Sequence, residues 1–335
     1  MDPEQQNITV EIEETVVEET VVEEPVVVEP IVVEPIVVEP IVEEPVVEEP
    51  VVVEPVVVEP VVVEPVVVEP VVVEPVVEEP VVEEPVVPKY AFIIPYRDRQ
   101  QQRDFFEKHM KFVLEDIAPS DYKTFFIHQC DSKSFNRGAM KNIGFLFIKD
   151  KYPDSYKNIT LVFNDVDTVP YTKNYLKYDT IHGKVKHFYG FNYSLGGIVS
   201  IKASDFEKTK GFPNFWAWGY EDNMFQKRVS NSNLHIDRGQ FHDIGDKNIF
   251  QMKNGFSRIV NKGEFDKYLS NTQEGVDSIK SLIYDYDESI NFVNVRNFDT
   301  GTQENPSKNM EYDLRNGNAP FKLPTRRRPS MMMRL

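Results

Sequence analysis

The chain has 335 residues, a formal net charge of −18 and a single cysteine, Cys130. Those totals join two unlike parts: residues 1–87 hold 25 of the 55 Asp and Glu and no Lys or Arg, whereas the remainder sets 37 basic against 30 acidic residues and holds all 23 Phe and both Trp. A mild basic excess suits one anionic small molecule and lacks the dense positive field of a nucleic-acid binder, and one cysteine excludes an intrachain disulfide and points to a reducing compartment. The first residues, MDPEQQNITVEIEE, carry no basic region leading into an apolar run. No stretch approaches the ~18 uninterrupted apolar residues that a membrane span needs. The expectation is a soluble, cytoplasmic protein with no membrane span and no nucleic-acid partner.

From Pro25 to Pro85 a proline falls at every fifth residue, each preceded by Glu, in units such as Val-Val-Val-Glu-Pro. Proline at that spacing removes hydrogen bonds from any helix and ladder donors from any central strand. It also drives the preceding Glu toward extended geometry. Residues 1–87 are therefore expected to be a low-complexity acidic repeat, an extended or disordered stalk reaching on the order of 190 Å at ~3.1 Å per residue. A charged spacer is one reading of it; a docking or display element is the other, because the valine pairs expose much apolar surface for a linker.

After Pro88 the elements alternate. Lys89–Ile94 is a short apolar run ended by Pro95 and reads as a buried strand. Phe106, Met110, Val113 and Ile117 fall on one face of a helix. Thr124–Gln129 reads as a second strand, Met140, Ile143 and Phe147 mark a second helix, and Ile159–Asn164 is a third strand running into Asp165-Val166-Asp167. Strand, helix, strand, helix, strand predicts an α/β fold with a mostly parallel sheet, whose ligands sit beyond the carboxyl ends of the strands.

Chemistry-bearing residues cluster at those ends. Arg97 and Arg99, just past the first strand, offer forked donors for a diphosphate or a base, or form a solvated turn. Asp165 and Asp167, alternate residues at the end of the third strand, offer hard oxygen ligands to Mg²⁺ or Mn²⁺ bridging a diphosphate, or cap a turn. Gly211–Asn223 is the densest segment: Trp216 and Trp218 stand beside Gly219 and Glu221-Asp222. Indole faces stack on sugar rings, and a neighbouring carboxylate is placed to act as a general base; a pair of core tryptophans before a helix is the alternative. Gly196-Gly197 would allow close backbone approach to a ligand or form a simple turn. His242, in Gln240-Phe241-His242-Asp243, follows on a strand.

In this order the segments Ile94–Arg99, Phe135-Asn-Arg137, Phe163–Asp167, Gly196-Gly197-Ile198, and Gly211-Phe-Pro-Asn through Trp216–Asp222 resemble the β-1,4-galactosyltransferase family, glycosyltransferase family 7. The likeness spans roughly residues 90–245 and rests on five motifs in order. It implies a GT-A fold, a Rossmann-like nucleotide-sugar transferase architecture over residues 88–300, with residues 301–335 as a polar, basic, flexible tail. It implies Mn²⁺-dependent, inverting transfer of galactose from a UDP-sugar donor to a carbohydrate or glycoprotein acceptor. By resemblance Pro95, Arg97, Arg99, Phe135 and Arg137 hold the nucleotide. Asp167 ligates the metal, Asp165 and Gly197 lie near the donor, and Trp218 rides on a loop closing over it. Asp222 is the catalytic base, and Glu221 holds the acceptor.

The departures from the pattern carry expectations of their own. Ala217 and Tyr220 replace glycines around the second tryptophan, which stiffens the loop and reshapes the acceptor side. The family supplies further metal ligands as Met-x-x-His or His-x-His; here only His242 fits, with Met252 as fallback. Ser194 stands where the family often has a larger residue, which leaves N-acetylgalactosamine open beside galactose. A disulfide-free member without an anchor departs from the Golgi pattern and suits a viral protein of host cytoplasm or virion, or a microbial one. The competing reading is a non-catalytic display protein carrying a degenerate transferase fold on an acidic stalk, favoured by Ala217 and the incomplete metal set.

Overall fold

The computed structural model describes residues 86–322; the proline repeat and Arg326–Arg328 lie outside the described residues. Strand β1 (Tyr90–Tyr96) is buried along its whole length, as an apolar run at the centre of a sheet must be. It pairs in parallel with β2 (Tyr122–Gln129) on one side and β3 (Thr160–Asn164) on the other. Helices α1 (Gln100–Val113) and α2 (Arg137–Lys151) make the crossovers. Strand alternation then divides the core. Ala91, Ile93, Phe125 and Ile127 pack with Met140 and Ile143 of α2, while Phe92, Ile94 and Phe126 pack with Phe106 and Met110 of α1. The strand passes through Pro95, where the sequence predicted an end. Pro95 pairs with Ile127 but lies beyond the last β1/β3 pair, Ile93 with Phe163, so its missing N–H costs that second ladder nothing.

Past β3 the chain forms β4 (Thr168–Pro170), β5 (Lys184–Gly190), β6 (Ile198–Lys202) and the short helix α3 (Ala203–Lys208). There follow α4 (Glu221–Asn231), β7 (His235–Asp237), β8 (His242–Asp243) and β9 (Ile249–Gln251). The last elements are β10 (Ser257–Asn261), α5 (Lys262–Leu269), β11 (Lys280–Asp287), β12 (Phe292–Asp299) and β13 (Asn309–Asp313). The main sheet runs β11-β12-β2-β1-β3-β6-β5-β7, with β8 alongside β5. It is mixed, because β6 is antiparallel to both β3 and β5.

The segment after residue 300 differs from expectation. Residues 301–322 are not a free tail: β13 pairs with β10, Thr302 O accepts from Trp216 Nε1–H at 3.1 Å, and Phe321 O accepts from the Tyr220 hydroxyl at 3.1 Å. Backbone pairing and single anchor points hold this polar stretch, and neither leaves an apolar period in the sequence. No described helix is long and apolar enough to cross a membrane.

Candidate active site

The chain leaves β1 for β2 on one side and returns to β3 on the other, so the crevice beyond β1 and β3 is the topological switch point where ligands bind in such sheets. A cleft of about 780 Å³ opens there, in the size range of small-molecule sites. Its lining includes the candidate catalytic and donor-binding residues, from Pro95 near the end of β1 to Asp222 on α4, and Asp167, but neither His242 nor the fallback Met252.

The two aspartates beyond β3 have different partners. Asp165 is gripped by Arg137, one guanidinium nitrogen of which lies 2.7 and 2.8 Å from its two oxygens. Burial works against the Arg137 charge, yet Asp165, Glu221 and Asp222 together push its pKa upward, so it stays cationic. Asp167 accepts from Thr168 Oγ1 at 2.9 Å, and burial, then the charge of Asp165, push its carboxyl up from the usual range. A buried carboxylate raised in this way favours a cation beside it.

A divalent ion fits Asp167. Hard cations of this class keep waters and substrate phosphate oxygens around one or two protein carboxylates. The protein's own donor set is thin, for no group of three or more His, Cys, Asp or Glu placed to hold a metal occurs among the described residues. His242, the expected second ligand, does not line the cleft. Strand β8 pairs it with Tyr189, its ring lies 5.1 Å from that of Tyr175, and its Nδ1 is 3.3 Å from Asp246. The segment that does reach Asp167 is Gln251–Lys253, because β9 pairs antiparallel with β4 and sets Gln251 opposite Thr168. Met252 N–H donates to Asp167 O at 2.7 Å, and its neighbours Gln251 and Lys253 line the cleft.

The cations sort by how occupied they are. Arg97 spends its guanidinium on the β2–α2 loop, bonding to the carbonyls of Gln129, Asp131 and Lys133 and to the Asp131 carboxylate, while lying 5.9 Å from the Phe135 ring. Its direct part is to shape the pocket wall. Arg99 and two cations not singled out from the sequence, Lys253 and Arg258, also line the cleft. Burial, then the charges of Arg99 and Arg137, draw the Arg258 pKa down, as expected in a cluster gathered for an anion.

At the other end, the two tryptophans separate. Trp216 is buried, stacked on Phe298 at 5.3 Å, whereas Trp218 is less buried at the cleft, its backbone N–H donating to Ile259 O of β10 at 2.9 Å. Glu221 and Asp222 open α4, where the helix dipole favours negative charge. Burial, then the neighbouring Asp222 charge, push the Glu221 carboxyl up. Asp222 lies so close to Gly196 that a Cβ there would fall 2.2 Å from its Oδ2. Gly197 adopts φ +70°, and its carbonyl accepts from Asp165 N–H at 3.1 Å. This glycine pair thus joins the two acidic ends of the cleft. Behind it His187, held neutral by burial with its pKa lowered to about 4, has Nε2 3.1 Å from the carbonyls of both Tyr189 and Gly196.

Comparison with known proteins bears on the family and the fold. Residues 81–179 match the family described as the N-terminal region of glycosyl transferase group 7, and residues 178–253 match the N-terminal domain of galactosyltransferase. β-1,4-Galactosyltransferase 4 of Mus musculus is 33% identical over 175 residues, 47% of this chain and 46% of that protein. β-1,4-Galactosyltransferase 7 of Drosophila melanogaster is 29% identical over 171 residues, 48% of this chain and 51% of that protein. The chain spans about half the length of the curated relatives it matches. Among solved structures, the catalytic domain of Drosophila β1,4-galactosyltransferase 7 in complex with xylobiose superposes with a TM-score of 0.50 at 21% identity, covering 66% of this chain and 97% of that one. The α/β sheet is that of the GT-A fold. Two adjoining family matches cover just over half of the chain and meet across the cleft just described, and the chain belongs to the β-1,4-galactosyltransferase family, glycosyltransferase family 7.

Proposed function

We propose that the protein is an inverting glycosyltransferase that moves galactose or N-acetylgalactosamine from a UDP-sugar to a hydroxyl of a carbohydrate acceptor, with Asp222 as general base. The observation that carries this reading is that one cleft holds cations and a raised carboxylate, Asp167, at its nucleotide end and Trp218, Glu221 and Asp222 at its sugar end. In this reading Phe135 and Pro95 form the wall for the base, and Arg99, Arg258 and Lys253 hold the diphosphate. Asp165, fixed by Arg137, takes a donor hydroxyl. Trp218 covers the reacting centre and excludes water that would hydrolyse the donor. Asp222 takes the proton of the acceptor hydroxyl as that oxygen attacks the anomeric carbon on the face opposite UDP, and Glu221 orients the acceptor by hydrogen bonding. A Mn²⁺ ion on Asp167 would offset charge on the departing diphosphate.

The test is UDP release from UDP-galactose and from UDP-N-acetylgalactosamine with Mn²⁺, with and without a sugar acceptor. Xylobiose is the first acceptor to try, because the structural relative was solved with it. Release stimulated by acceptor is the expected result. Absence of binding by either donor in the presence of Mn²⁺ overturns the enzyme reading and returns the chain to a display role. Ser194, buried and lining the cleft, makes the ratio between the two donors informative about that wall.

The glycine beside the base gives a sharper expectation. Gly196→Ala forces Asp222 aside, since the added methyl would overlap its carboxylate. A displacement near 1 Å at a reacting group costs roughly 10²-fold in rate. The variant is expected to lose about that much kcat while UDP affinity is preserved, as read by steady-state kinetics and calorimetry.

A further inference from the structure

Lys141 is the most unusual charge in the molecule. It lies on α2 with its side chain 2% exposed, and its Nζ donates to Asp222 Oδ1 at 2.9 Å. The ammonium also lies 4.4 Å from the centre of the Phe212 ring. A lysine is rarely buried to this degree, because desolvating the ammonium costs several kcal/mol unless a partner compensates. The only described ion pair of Lys141 is with Asp222.

The surrounding charges show what this pair does. Arg137 and Lys141 stand four residues apart, on one face of α2. Facing them are three carboxylates: Asp165 beyond β3, and Glu221 and Asp222 at the start of α4. Arg137 is committed to Asp165 at 2.7 Å and reaches Glu221 only at 3.6 Å. Three anions thus share two cations. Adjacent carboxylates in a common pocket do not both ionise cheaply, and their surroundings decide which one carries the charge. Glu221, whose side chain is 5% exposed, has the more distant cation; Asp222, at 20%, has the closer one.

We propose that Lys141 is a positioning residue that keeps Asp222, rather than Glu221, as the charged member of the pair, and so makes Asp222 the base of the reaction. This rests on the reading of Asp222 as general base. Lys141 touches neither donor nor acceptor in this scheme. Its ammonium holds one oxygen of Asp222 and leaves the other, Oδ2, on the Gly196 side, to receive the proton. When the acceptor hydroxyl attacks, its proton passes to Asp222, the new glycosidic bond forms, and the bond to UDP breaks with its electron pair leaving on the diphosphate.

The experiment compares pH profiles of kcat for the full chain and for Lys141→Met, which keeps the length of the side chain and removes its charge. In the variant, Asp222 is left beside Glu221 with only Arg137 to share, so protonated Asp222 persists to higher pH. The expected result is a tenfold or greater loss of kcat at pH 6 that narrows to within about threefold at pH 8.5, with KM for the UDP-sugar within twofold of the parent. Lys141→Arg, which retains the charge, is expected to recover the acid side of the profile. If the methionine variant does not fold, Lys141→Gln, also uncharged, serves for the same comparison. A loss of equal size at every pH, or a profile like the parent's, overturns the proposal, since a packing role would not depend on pH. Asp222→Asn separates the two readings: substantial activity in that variant refutes Asp222 as base, whereas an inactive Asp222→Asn beside a Lys141→Met profile like the parent's refutes only the role of Lys141.

Discussion

Asp222→Asn is expected to lower kcat by about 10³-fold or more while changing the affinity for UDP by less than threefold. The amide keeps the shape and a hydrogen bond but cannot accept the acceptor's proton, and removal of a general base costs roughly 10²–10⁴-fold. The ion-pair partner of Asp222 is Lys141, and none of the cations assigned to the diphosphate, Arg99, Arg258 and Lys253, forms a described ion pair with it, so nucleotide binding has no reason to follow. The variant loses one member of a buried ion pair and leaves Lys141 facing a neutral amide. A lowered melting temperature therefore accompanies the loss of rate, because one unpaired buried charge costs more than the pair contributes. Single-turnover transfer together with calorimetric titration of UDP decides it. A kcat within tenfold of the parent means that another group takes the proton.

Asp167→Asn is expected to abolish the dependence of nucleotide binding on Mn²⁺. In the parent, Mn²⁺ should tighten UDP binding by about tenfold or more, since a divalent ion held by Asp167 would offset the negative charge of the diphosphate. The variant should bind UDP equally well with Mn²⁺ and with a chelator, at an affinity set by Arg99, Arg258 and Lys253. Titrations under both conditions report this without any turnover. His242→Ala serves as the contrast and should retain the full Mn²⁺ effect, since its ring is engaged by Asp246 and Tyr175. Persistence of the effect in Asp167→Asn places the ion elsewhere.

The parts of the fold that were legible in the sequence are those with periodic apolar burial. β1, α1, β2, α2 and β3 announced themselves through runs such as Tyr90–Ile94 and the Phe106, Met110, Val113 face, all of which are buried. Two-stranded β10–β13 did not: Asn309–Asp313 is half-exposed and polar, and only its backbone pairing defines it. The same division holds in the cleft. Motif residues at strand ends and at the start of α4 follow from topology, so their convergence could be anticipated. Lys141, Lys253 and Arg258 are isolated cations whose importance arises from what lies across from them after folding, and no spacing in the chain marks them. His242 shows the complementary case. Its spacing marked it in the sequence, but the antiparallel register of β9 on β4 sets Gln251 opposite Thr168 and brings the Met252 N–H to Asp167 O.

Tyr220 has a wider consequence. It stands immediately before Glu221 in the left-handed region, at φ +71°, a conformation costing roughly 1–2 kcal/mol for a residue with a Cβ. Its ring rests against Phe265 and Tyr268, its hydroxyl donates to Phe321 O, and the N–H of Phe321 is 3.3 Å from the same oxygen. The turn that leads into α4 is therefore clasped by a residue about seventy positions beyond the last family-matched one. The start of α4, which carries the proposed base, is tied to the stretch around Phe321, and a protein tailored for expression by trimming back to the recognisable family region would discard the clasp along with the stretch that carries it.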